Sequence, residues 1–240
     1  MKTVGIIGFG SFGKFLAEKL SSHAKVMVYS QSGRESSWMG TIEEVAACDY
    51  VIPAIPLDAY EQMLRSLKPH LRSETVVVDV CSVKIAPVDM LRRVLPHQPI
   101  VATHPMFGPE SASVSFAGHT FVMCPEVSSA KPYEAIKHFA NSLGLGVVEM
   151  STEEHDREIA VVQGLTFFIG RALNDMHIHD QKLFTPSFER LLKLAELEQH
   201  HSAELFRTIQ TGNVYVSPVR QRFIEAIIAL NDDLRYDQHR

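Results

Sequence analysis

Cysteine is scarce in this chain: three in 240 residues, at Cys48, Cys81 and Cys124, and far apart. No CxxC pair exists to seed a zinc site, and an odd, scattered set builds no disulfide framework, so no metal is expected. Each thiol sits in an apolar run, where a small buried side chain is the plain reading. Long hydrophobic runs are lacking too, since no window approaches the roughly 18 apolar residues that a membrane span requires. Met1-Lys2-Thr3 runs straight into a strand-like segment, without the apolar stretch and cleavage site of a secretory signal. The expectation is a cytoplasmic protein in a reducing compartment, with no membrane contact. Nor is there an excess of positive charge. Lys and Arg number 23 against 28 Asp and Glu, and a net charge of −5 gathers neither nucleic acid nor anionic lipid. Gly and Pro, 13 and 12, are too few for a fibrous or low-complexity chain. The single tryptophan, Trp38, lies in a Ser-rich loop, where it is a candidate to cover an adenine ring.

What the chain does have is a regular alternation over its first 150 residues. Short β-branched runs at 3–8, 25–29, 49–55, 75–80, 99–103, 119–124 and 146–150 read as strands. Amphipathic stretches at 11–22, 41–47, 57–67, 84–95 and 131–143 read as helices between them. The valine run at 75–80 is the pattern of a parallel strand covered on both faces. Repeated β-α-β units with short connections predict an α/β, mostly parallel, doubly wound sheet over residues 1–150. After Ser151 the strands stop. Helices are expected at 151–178, at 186–211 and from Ser217-Pro218 onward, making residues 151–240 an all-α second domain. Three helices cannot hide all their apolar faces alone. That domain therefore packs against the first domain or against a second copy.

Directly after the first strand stands Gly8-Phe9-Gly10-Ser11-Phe12-Gly13, a GxGxxG string in the strand-then-helix context that its dinucleotide-binding reading needs. Gly8 permits the tight turn, Gly10 admits the pyrophosphate and Gly13 brings helix and strand together, with the helix N-terminus facing negative charge. The first domain is thus expected to be Rossmann-like. An NAD site carries Asp or Glu at the end of the second strand to bind the ribose 2′-hydroxyl. Here the segment is Tyr29-Ser30-Gln31-Ser32-Gly33-Arg34, without an acid until Glu35. Ser30 and Ser32 can donate hydrogen bonds, and Arg34 can clasp a 2′-phosphate, which favours NADP over NAD.

Ligands of doubly wound sheets lie beyond the carboxyl ends of the strands. Ile55-Pro56 would flank the cofactor there. Asp79-Val80-Cys81-Ser82-Val83-Lys84 follows the fourth strand, and the fifth ends in Thr103-His104-Pro105. A neutral imidazole at His104 can take a hydroxyl proton while hydride leaves the same carbon, with Ser82 orienting either that ring or the substrate hydroxyl. His177 with His179, and His200 with His201, are spaced wrongly on a helix to share a ligand. Asp232-Asp233 reads as a solvated face rather than a carboxylate pair.

The fingerprint, the Asp79 to Lys84 run, His104-Pro105-Met106-Phe107-Gly108-Pro109-Glu110-Ser111 and Glu154-His155-Asp156 together resemble the prephenate/arogenate dehydrogenase family over nearly the whole chain. The HPMFGPES run and Ile169-Gly170-Arg171 are most similar to its arogenate-type, NADP-using branch. The resemblance implies an oxidative decarboxylation of a small cyclohexadienol, with His104 accepting the 4-hydroxyl proton and Ser82 bonded to His104 or to that hydroxyl. Cys81 would lie near the cofactor. His155 and Asp156 would shape the mouth between domains, and the helical domain would form a homodimer. By the same resemblance Gln163 and Lys193 would bind substrate. Lys193 stands at the family's arginine position, and Phe167 at a position usually held by a substrate-binding histidine. Two other readings stay open: another two-domain NADP oxidoreductase of the β-hydroxyacid dehydrogenase or imine reductase kind, and a dinucleotide-binding regulatory protein without catalysis. The first usually needs a Lys or Asp acid on the helical domain, and none stands out. The second draws on Phe167.

Overall fold

A computed structural model of the protein describes residues 1–31, 36–178 and 181–237. The chain divides into two compact units, Met1–His155 and Asp156–Arg240.

The first unit is built on seven strands: β1 (Thr3–Ile7), β2 (Lys25–Tyr29), β3 (Tyr50–Pro53), β4 (Val76–Asp79), β5 (Ile100–Pro105), β6 (Thr120–Cys124) and β7 (Gly146–Glu149). Their spatial order is β2-β1-β3-β4-β5-β6-β7. All neighbours are parallel except β5 and β6, which run antiparallel with His104 opposite Val122. The four residues of β4 are all buried, as a valine run between two helical layers requires. The connections carry α1 (Ser11–Leu20), α2 (Ile42–Ala46), α3 (Leu57–Leu67), α4 (Ile85–Val94) and α5 (Ala130–Ser142). Thr41 and Glu44 start α2 with reciprocal side-chain to backbone bonds, a full capping box. The expected Rossmann-like architecture is present. Because the order reverses at β1, with β2 on one side and β3 on the other, the crevice for a ligand opens at the carboxyl ends of β1 and β3. β5 runs two residues further than the pattern suggested, so His104 lies within the strand rather than after it.

The helical region departs more from expectation. In place of one long helix there are α6 (Thr152–Ile159), a π-helical turn Ala160–Leu165, and α7 (Thr166–Asp175). Gly164 sits in that turn because a Cβ would meet Val216 Cγ2 at 2.8 Å, and its carbonyl accepts from Gln210 Nε2 at 2.7 Å. The second expected helix is also two, α8 (Pro186–His200) and α9 (Ala203–Gly212), because Ser202 caps a fresh start by accepting from Leu205 N at 3.1 Å. Thr185 caps α8 by accepting from Phe188 N at 3.2 Å, with Pro186 in the first turn. A final helix, α10 (Val216–Asp237), packs its first turns on the π turn around Ala160, Phe167 and Ile209. Further along, Ile224, Ile227, Ile228 and Leu234 stand exposed on it.

Candidate active site

Gly8 closes β1 with φ +101°, a left-handed backbone that only glycine adopts readily, and its N–H donates to Tyr29 O at 2.8 Å. A side chain there would also strike Ala54 O and Ile55 Cγ2. Gly13 lies so close to the Gly8 carbonyl that no Cβ fits, which locks α1 onto the strand end. Around Gly10 the opposite holds: among the described residues nothing lies within 4 Å of a notional Cβ, so backbone is open to an approaching group. α1 has neither a side-chain cap among the described residues nor an acid in its first turn, so its N-terminus keeps the partial positive charge of the helix dipole. A cleft of about 230 Å³ opens beside this turn, lined by Gly8, Ser30, Gln31, Ile55 and Pro56 and floored by Met63.

Not every residue of the string faces the cleft. Phe9 is buried and meets Trp38 edge-on at 6.3 Å, and Phe12 packs on Phe15 at 5.9 Å. Their rings belong to the core, so only their backbone is available to a cofactor, and Trp38 is held by Phe9 rather than standing open. Ser11 is exposed at the start of α1. Ser32 and Arg34, the other half of the 2′-phosphate expectation, lie outside the described residues, as does His179.

At the other strand ends, His104 is buried, and its Nδ1 is 2.8 Å from Nε2 of His155 on α6, with the rings inclined at 68°. Burial first, then His155, then the Lys84 ammonium hold the His104 imidazolium well below its ordinary range, so the ring is neutral near neutral pH. The hydrogen bond goes to His155 and not to Ser82, which sits half-buried on the β4–α4 connection. The nitrogen that Ser82 was expected to orient, if it bonded the ring and not the substrate hydroxyl, is met at Nδ1 by a second imidazole from α6. Cys81 donates its backbone N–H to Asp79 Oδ1 at 3.1 Å; burial pushes its thiol up to about 11, so it is a neutral group near neutral pH.

Sequence reasoning quoted the Asp79 to Lys84 run but gave its ends no task. Both side chains are fully buried and paired with one another. Lys84 Nζ also donates to Thr103 O at 2.6 Å, and Tyr60 Oη donates to Asp79 Oδ1 at 3.0 Å. A lysine inside an apolar run was the available signal, because such a charge is found buried only when paired.

In the second unit Phe167 is a core residue, 4.2 Å ring to ring from His201, whose Nδ1 bonds Glu198 Oε1 at 2.7 Å. Gln163 lies half-buried in the π turn with its Oε1 unpartnered, and Lys193 is exposed on α8. Among the described residues no group of three metal-ligating side chains gathers, and no helix is long and apolar enough to cross a membrane.

Similarity to known proteins follows the same lines. Residues 27–149 match the family described as prephenate dehydrogenase, nucleotide-binding domain, beginning in β2 and so after the glycine turn. Arogenate dehydrogenase 2, chloroplastic, of Arabidopsis thaliana is 31% identical over 85% of this chain and 62% of its own length. A probable arogenate/prephenate dehydrogenase of Methanocaldococcus jannaschii is 26% identical over 76% of this chain and 43% of its own. The chain thus spans roughly two fifths to three fifths of the length of such curated relatives. Among solved structures, prephenate dehydrogenase from Aquifex aeolicus in complex with hydroxyphenyl propionate and NAD+ shares the fold. It aligns with a TM-score of 0.75 at 22% identity, over all of this chain and 93% of that one. Synechocystis arogenate dehydrogenase gives 0.69 at 18%, over 98% and 94%. With more than half of its residues matched by the family's nucleotide-binding domain, on the sheet that carries the glycine turn and His104, the chain belongs to the prephenate dehydrogenase family.

Proposed function

We propose that the protein is a dehydrogenase that oxidatively decarboxylates arogenate or prephenate, to tyrosine or 4-hydroxyphenylpyruvate, with NADP as oxidant and His104 as base. The observation that carries this reading is a buried, neutral imidazole at the end of β5, on the same sheet edge as an open glycine turn. The donor set fits a dinucleotide. Gly10 leaves room for a pyrophosphate, the bare N-terminus of α1 favours its charge, and Ser30 with Gln31 lines the cleft where the ribose would lie. The absence of an acid at the end of β2 removes repulsion toward a 2′-phosphate, which is the ground for NADP over NAD. When bound, the nicotinamide supplies a hydride acceptor.

The chain's own residues then manage the proton. His104 must carry its hydrogen on Nδ1, donated to His155 Nε2, so that Nε2 keeps a lone pair for the substrate's 4-hydroxyl. As that hydroxyl proton passes to Nε2 and hydride departs from the same ring carbon, the bond to the ring carboxylate breaks. Its electron pair enters the ring, giving an aromatic product and CO2, and His104 returns its proton to the phenolate. Ser82 is assigned to the substrate hydroxyl, and Gln163 and Lys193 to the substrate's polar groups. The enzyme's work is positioning and a base kept unprotonated. The exposed apolar stripe on α10 supports a homodimer through the helical domain. A reading without catalysis draws on Phe167, a packed core ring at the family's histidine position.

One assay separates the readings. Purified protein is given arogenate and prephenate in turn, with NADP and with NAD, and reduced nicotinamide and CO2 are followed. The expected result is stoichiometric production of both, fastest with NADP and lowered by about 10²- to 10⁴-fold in His104→Ala. Tight NADP binding with no turnover of either substrate overturns the proposal in favour of the regulatory reading.

A further inference from the structure

Lys84 opens the turn into α4 with no exposed surface at all, so its ammonium does not reach solvent. Its ammonium pairs with the equally buried Asp79 and donates to Thr103 O at 2.6 Å. Asp79 is fixed in turn by Tyr60 Oη at 3.0 Å and by the Cys81 N–H at 3.1 Å, and Thr103 Oγ1 returns a bond of 2.7 Å to Asp79 O. Removing two ions from water costs several kcal/mol each, and an apolar pair of the same volume would pack as well or better. Two of these bonds, one from the Lys84 ammonium and one from the Thr103 hydroxyl, tie the pair to β5 at the residue before His104.

We infer that Lys84, held by Asp79, is a positioning residue for the His104 base: it clamps the β5 backbone at Thr103 and brings its ammonium to the residue next to His104 in the strand. This rests on the reading of His104 as the base. The clamp fixes the strand from which the ring projects, and the charge disfavours a second proton on it. Among the described residues, Val122, opposite on β6, is apolar, and His155 on α6 is the hydrogen-bond partner. Lys84 is among the groups that depress the His104 imidazolium, after burial and His155.

The test needs a readout that does not depend on turnover. The His104 ring is titrated by NMR in the full chain, its signal assigned by loss in His104→Gln, and the pH profile of kcat/KM is recorded beside it. In Lys84→Met the His104 midpoint is expected to rise by about one pH unit. The acid limb of kcat/KM rises with it and kcat falls, while KM for NADP stays unchanged. Lys84→Arg, which keeps the charge, is expected to hold the midpoint low. Should Lys84→Met fail to fold with Asp79 orphaned, the double variant Asp79→Asn with Lys84→Met leaves no buried charge unpaired and gives the same upward direction. An unmoved midpoint in a folded variant overturns the inference. A midpoint that moves in a protein inactive on both substrates upholds the clamp and sinks the dehydrogenase reading, so the two failures are distinct.

Discussion

The imidazoles of His104 and His155 meet nearly edge to face, Nδ1 to Nε2 at 2.8 Å, although 51 residues separate them in the chain. The contact fixes the tilt of His104, and the proposed base requires the tautomer in which His104 donates from Nδ1, since a ring with the other nitrogen protonated cannot accept at Nε2. His104→Ala is expected to lower kcat by about 10²- to 10⁴-fold, the usual worth of a general base, with NADP affinity unchanged. His155→Ala leaves a buried N–H without an acceptor and should cost about tenfold or more in kcat. His155→Gln restores an acceptor and should recover part of that loss. Steady-state kinetics on the three variants decide it, and wild-type kcat in His155→Ala would refute the orienting role.

A buried neutral histidine also writes itself into the pH dependence of stability. The folded protein resists protonating His104 while the unfolded chain accepts a proton near the ordinary value of 6.5, so below that pH the unfolded state binds more protons. Stability therefore rises with pH in this window, and is lost as pH falls below about 6.5. His104→Leu removes the group. Denaturant unfolding at about pH 7.5 and about pH 5.5 should show wild type losing more than the variant, by at most about 1.4 kcal/mol per pH unit. Equal losses in the two proteins would mean that His104 is free to protonate in the fold.

Cofactor choice turns on the end of β2. Ser30 lines the cleft where an NAD site carries a carboxylate. Ser30→Asp is expected to exchange an uncharged donor for a group that repels a 2′-phosphate and accepts from a 2′-hydroxyl. The ratio of kcat/KM for NADP over NAD should fall by about tenfold or more, a change worth about 1.4 kcal/mol. A ratio that does not move would place the 2′-phosphate elsewhere.

The parts of this molecule that sequence could announce are those set by local rules. Gly8 and Gly13 announce a turn because no other residue fits the backbone there, and the valines of β4 announce a parallel strand because both its faces are covered. His104 could be singled out by its place at a strand end. Its pairing with His155 could not, because the approach of α6 to β5 is tertiary and leaves no periodicity behind. The same holds for Lys84, whose pairing with Asp79 depends on the turn between them. The break at Ser202 was legible in principle, since Ser followed by Ala-Glu-Leu is a capping sequence, but the apolar period runs on across it. The π turn at Gly164 is a packing answer to Val216, from an element 52 residues further on, and helical propensity alone carries no trace of it.

The stripe on α10 leads to the remaining prediction. Ile224, Ile227, Ile228 and Leu234 recur at helical spacing and stand exposed, though burying an isoleucine or leucine is worth about 1.5–3 kcal/mol. Such a surface is costly for a monomer to leave in water. A second copy meeting it would bury the same residues twice over by symmetry. Ile227→Glu with Ile228→Glu places like charges across that seam and leaves the chain's own packing at Ala160, Phe167 and Val216 untouched. By light scattering, wild type is expected at twice the 26.9 kDa chain mass and the double variant at the chain mass, with unchanged circular dichroism. A variant that keeps the doubled mass would place the interface on another face. A monomeric wild type at micromolar concentration would remove the dimer altogether.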